Sequence, residues 1–430
     1  MSRLLAARAR PAVTPEAAFP TAGAARTRPV RAGLRILTLA PTPFFGDYGC
    51  HVRIFEELRA LQAAGHQPLL CTYPYGQPVP DVAVRRAVRP PARWHARPGS
   101  SRHKLYLDAL LGLAALQALP RLRPHLVHGH LHEGAFIGYP LSRLARIPLV
   151  FDFQGSLTAE MVDHGFLRPN SRLYGAVRRL EALINRLADA VVTSTRHAAD
   201  LLCREFGCAA RRITVVPDGV SVERFCPPEP GSPRAARVAA LRAQLGLPAG
   251  TRVVVYLGLL AEYQGLSLLL QAAQRVLAVE PDVHFLLLGY PGEAYYRALA
   301  EQLGIGERVH LPGRVPYAAA PDYLALGHVA VAPKLSATEG NGKVLNYMAM
   351  ALPVVAFDTP VNRELLGDLG LYAPPGDVAA LAAALLDALR DERAARALGT
   401  ALRARAAAHF SWEQSVAQLE AVYRRLVGGA

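Results

Sequence analysis

The amino-acid sequence predicts an α/β protein with two doubly wound, Rossmann-like domains that face each other across a cleft. The chain has 430 residues, of which 51% are hydrophobic and 19% are charged, so it is long enough for two ordinary cores and too apolar to be disordered. Short buried strands alternate with amphipathic helices, which is typical of parallel sheets. The alternation lapses once, over residues 221–250, and then resumes, which divides the chain into two halves.

The first domain is predicted to span residues 34–220. Residues 1–33, which precede it, are rich in Arg, Ala and Pro and are predicted to form a disordered basic tail. The domain opens with a β-α-β unit, in which a strand over 34–40 is followed by a helix over 51–66. The apolar face of that helix is formed by Val52, Phe55, Leu58 and Leu61. Further strands are predicted at 67–73, 125–130, 148–153, 190–195 and 213–217, and a further helix at 174–189.

Residues 221–250 are rich in Pro, Gly and Arg and are predicted to connect the domains, and the second domain is predicted over 251–408. Its strands are predicted at 252–258, 283–289, 309–313, 329–333 and 353–357, and its helices at about 266–278, 293–303, 343–351, 377–390 and 393–408. Residues 409–430 contain one last amphipathic helix. Doubly wound sheets bind ligands at the carboxyl ends of their strands, so the cleft between the domains is the expected site.

The composition limits the function classes. The net charge of +14 indicates either anionic partners, such as nucleotides or an acidic membrane, or an Arg-rich composition, since only three of the 48 basic residues are lysines. The sequence has no pattern typical of a nucleic-acid-binding module. Five scattered cysteines fit a reducing cytosol. The longest apolar stretch, 109–119, reads as too short to span a bilayer. We therefore expect a cytoplasmic protein without a nucleic-acid partner.

Five segments carry a specific family pattern. They are "PFFGDYGCH" (43–51), "LVHGH" (126–130), "ITVVPDGVSVERFCP" (213–227), "ERVHLPGRVPY" (307–317) and "LNYMAMALPVVA" (345–356). In these segments the chain resembles glycosyltransferase family 4, and the resemblance covers about residues 34–427. It implies the GT-B fold, with the last helix crossing back onto the first domain.

The resemblance also implies an activity. The expected enzyme transfers a sugar, with retention of configuration, from an activated donor to a hydroxyl of a glycan or a lipid-linked acceptor. The expected donor is a nucleotide sugar, and a lipid-phosphate sugar is the alternative. It would need neither a metal nor another cofactor. Because members of the family often act on lipid-linked acceptors, and because this chain is basic, an anionic surface at the inner face of the membrane is a further expected partner.

The donor signature of the family is altered here. The family has two glutamates eight positions apart, of which the second bonds the ribose of the donor and the first lies near its sugar. Alignment on "MA" and "PVV" puts Asn346 at the second position and Thr338 at the first, while Glu339 is shifted by one. The neutral Asn346 would form a weaker bond than a carboxylate. Glu339 would do the work of the first glutamate, and a degenerate site is the alternative.

The phosphate-binding cations of the family are also altered. By the resemblance, Leu259 and Gln264 stand where the family has an Arg and a Lys that hold the diphosphate. Two of the three lysines of the chain, Lys334 and Lys343, lie close to the donor motif. Lys343 opens a predicted helix, whose first N–H groups favour an anion. We therefore expect Lys343, with Lys334 or Arg314, to neutralise the phosphates. Solvated surface lysines are the alternative.

The other candidate residues follow the same motifs. The loop that precedes the donor helix and the end of the first strand of the second domain are expected to contact the donor, through Gly258, Gly340, Asn341, Gly342 and Val344. His130 is expected to face the cleft near the transferred sugar, by the resemblance. Contacts to the acceptor are expected from Gly46, Asp47, Gly49, Asp152, Gln154 and Ser156, for each of which a purely structural role is the alternative.

Three other function classes compete with this interpretation. "HGHLHE" (128–133) alternates histidines as some zinc sites do, but the Asp-His continuation of metal-dependent hydrolases is missing, so no metal site is predicted. No G-x-G-x-x-G follows the first strand, which disfavours a nicotinamide-dependent dehydrogenase. The main alternative is a catalytically weakened protein of the same fold that binds a carbohydrate or a lipid, because Leu259, Gln264 and Asn346 depart from the family pattern.

Overall fold

The computed structural model describes residues 33–90, 104–336 and 338–428. Apart from Gly33, the tail predicted over residues 1–33 lies outside these described residues. Each of the two sheets in the described residues is parallel throughout and carries helices on its faces. The predicted fold class, two doubly wound α/β domains, is confirmed.

The first sheet has seven strands in the order β3-β2-β1-β4-β5-β6-β7. These strands are β1 Arg35–Ala40, β2 Gln67–Thr72, β3 Val84–Arg86, β4 Leu126–His130, β5 Leu149–Phe153, β6 Ala190–Thr193 and β7 Ile213–Val215. The helices are α1 Gly49–Ala63, α2 Lys104–Leu122, α3 Leu131–Ala145, α4 Leu157–Asp163, α5 Arg172–Leu187 and α6 Arg196–Arg204. The strand order reverses between β1 and β4, which opens a crevice at their carboxyl ends.

The second sheet has six strands in the order β10-β9-β8-β11-β12-β13. These strands are β8 Val253–Leu257, β9 His284–Leu288, β10 Val309–Gly313, β11 Val329–Ala332, β12 Val354–Phe357 and β13 Leu371–Ala373. The helices are α7 Pro233–Gln244, α8 Leu266–Leu277, α9 Glu293–Gln302, α10 Ala320–Leu324, α11 Lys343–Ala349, α12 Pro360–Leu366, α13 Val378–Arg390, α14 Glu392–His409 and α15 Trp412–Val427. Here the reversal lies between β8 and β11, facing the crevice of the first domain.

Several elements were not predicted from the sequence, namely β3, β13, α2, α3, α4, α6, α10 and α12. Two other segments differ from the expectation in detail. The connection over 221–250 is not irregular throughout, because α7 occupies part of it, with Pro233 at its first position and the Ser232 side chain capping it. Helix α1 begins at Gly49, and its buried side includes Arg53, Glu56 and Glu57 beside the aliphatic residues. Apolar periodicity could not indicate these charged residues, since their partners come from distant segments.

Helix α2 is longer than the apolar stretch that we recognised in the sequence. It has 19 residues and is, by length and composition, the one helix among the described residues that could cross a membrane. That corrects the expectation based on 109–119 alone. Its buried side packs into the core of the first domain through Leu107, Leu111 and Ala115. Only 28% of its most apolar 18-residue segment is buried, so the opposite side of the helix is exposed to solvent.

Helix α15 lies on the first domain. Its residues Val416, Leu419 and Val422 share one core cluster with Leu34 and Ile36 of the first domain. Two polar contacts fix the same arrangement, because Glu420 bonds His66 at 2.6 Å and the Tyr423 hydroxyl bonds Nδ1 of His128 at 2.7 Å. The polypeptide therefore passes from the first domain to the second and returns.

Candidate active site

The carboxyl ends of both sheets enclose a cavity of about 320 Å³. The first domain lines it with the loop after β1, the start of α1, and the loops after β4 and β5. The second domain lines it with the loop after β8 and the segment that leads into α11. The cleft expected from the strand order is therefore present, and both domains contribute to it.

Lys343 reaches from the start of α11 to the loop after β8. Its Nζ lies 2.6 Å from Oε1 of Gln264, 3.1 Å from the hydroxyl of Tyr256 and 4.3 Å from the centroid of the Tyr256 ring. Burial, and then the charge of Lys334, hold the pKa of Lys343 well below its usual range. The sequence alternative of a solvated surface lysine is thus wrong, and the ammonium lies beside the two positions that have lost the family cations.

Gly258 makes room for this ammonium. Its φ of 149° lies in the region that favours glycine, and a Cβ there would lie 2.7 Å from Nζ of Lys343. Gln264 is 6% exposed and accepts the lysine hydrogen bond with its side-chain oxygen. The loop after β8 therefore forms a pocket fitted to one cation that comes from α11.

The second lysine of the donor motif is already engaged. Lys334 is 5% exposed, pairs with the Glu339 carboxylate at 2.7 Å and donates to the carbonyl of Gly340 at 2.8 Å. Glu339 touches the first domain, since a Cβ on Gly155 would lie 3.1 Å from Cγ of Glu339. Thr338 makes a similar contact, because its hydroxyl accepts a hydrogen bond of 3.4 Å from the backbone N–H of Ser156. Thr338 and Glu339 thus bring the second domain into contact with the first domain at one side of the cleft.

The remaining donor-side candidates divide into two groups. Those that line the cavity are Gly258, Lys334, Glu339, Gly340, Asn341, Gly342, Lys343 and Asn346. Val344 is a correction, because its side chain is fully buried in the core of the second domain and its N–H bonds the carbonyl of Asn341. Asn341 donates to Oδ1 of Asn362 at 2.8 Å, while its own Oδ1 has no hydrogen-bond partner among the described residues.

Arg314 is corrected, because it does not line the cavity, whereas its partner Asp47 does line it. The guanidinium of Arg314 bonds the Asp47 carboxylate at 2.5 and 2.9 Å and stacks over the ring of Tyr290. Asp47 also accepts from the N–H of Tyr317 at 2.9 Å. These contacts join the loop after β1 to the second domain and occupy the groups that we had assigned to phosphate and acceptor. Gly46 takes part too, because its carbonyl accepts a hydrogen bond from the Tyr290 hydroxyl, and it does not line the cavity.

His130 lies behind the wall of the cavity rather than facing it. It is fully buried, and its Nδ1 bonds Oδ2 of Asp152 at 2.8 Å. Asp152 is also fully buried and accepts from Arg53 at 2.9 and 3.2 Å and from Gln154 at 2.7 Å. The Arg53 guanidinium and His130 hold the pKa of Asp152 well below its usual range, against the effect of burial. His130 and Asp152 are thus corrected from cleft-facing residues to members of a buried network.

The same network contains a group of potential metal ligands. One ligand atom each from Glu57, His128, His130 and Asp152 lie within 4.8 Å of one another, and all four residues are buried. Burial raises the pKa of Glu57 to about 7. The Asp152 carboxylate is already saturated by Arg53, His130 and Gln154, and the guanidinium adds a positive charge at that point. A dication would have to displace these bonds, so the cluster fits a proton-sharing network better than a metal centre.

Two of the three remaining acceptor candidates do line the cavity. Gly49 is the first residue of α1, and Gln154 reaches the cavity from the end of β5. Ser156 is buried and caps α4, where its hydroxyl accepts from the N–H of Ala159 at 3.3 Å. Ser156 therefore has the purely structural role that was the alternative to a contact with the acceptor.

Sequence analysis missed several charged and aromatic residues that line the cavity. These are Arg53, Lys104, His132, Glu133, Glu160, His164, Asp218 and Tyr263. Lys104 pairs with Glu133, and Arg53 pairs with Asp218. These pairs join residues far apart in sequence, so no local spacing could reveal them. The single available signal was the third lysine of the chain, which proves to be at the cavity like the other two.

Comparisons with known proteins bear on this site. Residues 49–224 match the family described as "Glycosyltransferase Family 4", and residues 251–391 match that described as "Glycosyl transferases group 1". The D-inositol 3-phosphate glycosyltransferase 1 of Catenulispora acidiphila is 30% identical over 328 residues, which cover 71% of this chain and 73% of that protein. That of Corynebacterium glutamicum is 27% identical, with coverages of 73% and 75%.

Solved structures agree on the fold. The sucrose-phosphate synthase of Thermosynechococcus elongatus superposes with a TM-score of 0.77 at 22% identity, covering 92% of this chain and 99% of that one. An Anabaena protein solved with UDP and glucose gives a TM-score of 0.70 at 20% identity, with coverages of 90% and 99%. The curated relatives are enzymes and give no support to the alternative of a weakened binding protein.

Proposed function

The chain belongs to glycosyltransferase family 4 and is a glycosyltransferase, and we propose that it transfers a sugar from a nucleoside-diphosphate donor to a hydroxyl group. The observation that carries the donor assignment is the ammonium of Lys343 in the loop after β8. A partly buried cation whose partners are the neutral groups of Gln264 and Tyr256 is costly without an anion, and a phosphate would supply one.

The substrates fit the two sides of the cleft. The phosphates would lie between Gly258 and Lys343, and Asn346 would bond the ribose from the next turn of the same helix. The donor sugar would then point towards Glu339 and the first domain. The acceptor, a glycan or a lipid-linked molecule, would enter from the loops after β4 and β5.

We propose that the reaction retains the anomeric configuration. The bond from the anomeric carbon to the phosphate oxygen breaks, and a bond to the acceptor oxygen forms on the same face. The acceptor proton passes to the leaving phosphate oxygen, so no protein base is required. The role of Lys343 is to stabilise the charge that develops on the diphosphate. With this ammonium in place no metal is needed, and activity should survive an excess of EDTA.

We further propose that the enzyme is cytoplasmic and docks on the inner face of the membrane. Helices α2, α3 and α5 lie side by side on one face of the first sheet. They expose the apolar side chains of Leu105, Leu113, Leu116, Phe136, Leu144, Leu173 and Leu183. The same helices or their ends carry the exposed arginines Arg121, Arg123, Arg172 and Arg179. Apolar and cationic groups on one surface favour an anionic bilayer.

Two experiments test these proposals. The melting temperature should rise in the presence of one nucleoside diphosphate and its sugar, since binding to the native state stabilises it by mass action. If UDP, ADP, GDP and dTDP and their glucose or mannose derivatives all leave it unchanged, the donor proposal is wrong. For the membrane, Leu113→Glu with Leu116→Glu should abolish sedimentation with phosphatidylglycerol vesicles at low salt. Val279→Glu, at an exposed apolar residue of the second domain, is the matched control.

A further inference from the structure

The acceptor side of the cavity is rich in carboxylates. Glu133 from α3, Glu160 from α4 and Glu339 from the second domain all line it. Two of them are paired, Glu133 with Lys104 and Glu339 with Lys334. Across the described ranges, 33–90, 104–336 and 338–428, Glu160 forms no ion pair and no side-chain hydrogen bond. The wall thus contains one carboxylate without a partner and no cation without one.

The electrostatic environment of Glu160 is consistent with this inventory. Burial raises the pKa of Glu160 to about 7, and the charge of Glu339 adds to the effect. The pKa of the Tyr263 hydroxyl is also raised, first by burial and then by Glu339. The free cleft therefore resists a further negative charge at this wall, although the whole chain carries a net charge of +14. A cation added here would be stabilised.

Two further features of the same wall point to a ligand. The rings of His164, at the end of α4, and Tyr263, after β8, lie with centroids 4.7 Å apart and both line the cavity. Aromatic faces beside a carboxylate are a common environment for an ammonium group. In addition, His132 is only 4% exposed and lines the cavity; its Nε2 lies 3.7 Å from Oε1 of Glu181 and has no hydrogen-bond partner among the described residues. A hydroxyl of the acceptor would supply one.

We propose that the acceptor is a sugar or cyclitol that carries a protonated amine, held by Glu160 against His164 and Tyr263. This inference rests on the proposed function and names its acceptor class. The ammonium stays protonated and does not react, and the transfer occurs at a neighbouring hydroxyl. The two curated relatives described above are named for a phosphorylated acceptor. A phosphate at this wall would meet Glu160, while both lysines nearby are already paired with carboxylates.

The test compares matched acceptors in the presence of the nucleotide sugar that stabilises the protein most. The pairs are glucosamine against glucose and scyllo-inosamine against scyllo-inositol, with glucose 6-phosphate as the anionic probe. We expect kcat/KM for each amine to exceed that for its hydroxyl analogue by about tenfold or more, which corresponds to one charge-assisted bond. Glucose 6-phosphate should be the poorest acceptor.

Variants locate the preference. Glu160→Gln should bring the ratio of amine to hydroxyl acceptor close to one, whereas the exposed Glu301→Gln should preserve it. Calorimetric titration of the same amines into the protein saturated with a nucleoside diphosphate gives a readout that does not depend on turnover. Equal use of both members of each pair, or a preference for glucose 6-phosphate, would overturn the inference while leaving the transferase function intact. Failure of every nucleotide sugar to bind or react would instead overturn the proposed function.

Discussion

The Nζ of Lys343 lies 2.6 Å from Oε1 of Gln264, so the residue that replaces a family cation is the hydrogen-bond partner of another cation. One positive charge therefore occupies the loop after β8, although it originates from α11. We infer that Lys343 supplies from α11 the positive charge that the family pattern places in the loop after β8.

Replacing Lys343 by methionine should separate activity from stability. Loss of the charge that faces the diphosphate should lower kcat/KM by roughly 100-fold or more. The pKa of Lys343 is lowered on folding, so the unfolded chain binds this proton more tightly and the folded state is destabilised at neutral pH. The melting temperature of Lys343→Met should therefore rise. Full activity in this variant would contradict the phosphate role.

Gln264→Lys should have opposite effects in two backgrounds. In the wild type it places a second ammonium against Lys343 and should lower kcat/KM, because both charges are buried together. In Lys343→Met it restores one cation to the same loop and should raise kcat/KM, further so when combined with Leu259→Arg. A double-mutant cycle measures this coupling. If Gln264→Lys lowers activity equally in both backgrounds, the two cations do not serve one phosphate.

Gly258→Ala should disturb the same pocket without altering any charge. The added Cβ would lie 2.7 Å from Nζ of Lys343, at a φ that favours glycine. We expect weaker binding of a nucleoside diphosphate, measured by calorimetry. Gly175→Ala is the control, since a Cβ there contacts nothing within 4 Å and the residue lies in α5. Unchanged affinity in Gly258→Ala would show that the ammonium is held elsewhere in the complex.

Arg53→Met should destabilise the first domain. Arg53 bonds the fully buried Asp152, and removal of the guanidinium leaves that carboxylate without its cation. We expect a loss of about 3 kcal/mol or more in the free energy of unfolding by urea. Arg393→Met, at an exposed position of α14, should stay within about 0.5 kcal/mol of the wild type. A similar small effect at both sites would mean that Asp152 is stabilised by its other partners alone.

Glu57→Gln should change how stability depends on pH. The pKa of Glu57 is raised on folding from 4.5 to about 7, so the folded state holds this proton more tightly than the unfolded chain. Stability due to Glu57 is therefore lost as pH rises through this window. Relative to the wild type, the variant should gain unfolding free energy between pH 4.5 and 7, by roughly 3 kcal/mol in all, and then level off. A pH-independent difference in urea denaturation would refute the shift.

Sequence patterns predicted the elements better than the site. The strands next to the cleft were located within a residue or two, because parallel strands buried on both faces read as short apolar runs. His130 and Asp152 were placed at the right strand ends but on the wrong side of the wall. The position of a residue at a strand end determines that it lies near the cleft. The direction of its side chain depends on partners from other segments, such as Arg53 for Asp152.

Glu160 shows the other limit. It lies in a seven-residue helix with no motif around it, and its significance comes from Glu133, Glu339 and the two lysines that pair with them. An unpartnered carboxylate is a property of the assembled cleft. No single stretch of the chain contains that information.

The return of α15 to the first domain has a consequence for biosynthesis. Val416, Leu419 and Val422 complete a core cluster with Leu34 and Ile36, yet the ribosome makes them after the whole second domain. Domains usually fold in order of synthesis, N-terminal first. Here the first domain emerges with part of its sheet bare, and that apolar surface stays open to chaperones until the last helix leaves the exit tunnel. The domain that begins folding first is thus the one that finishes last.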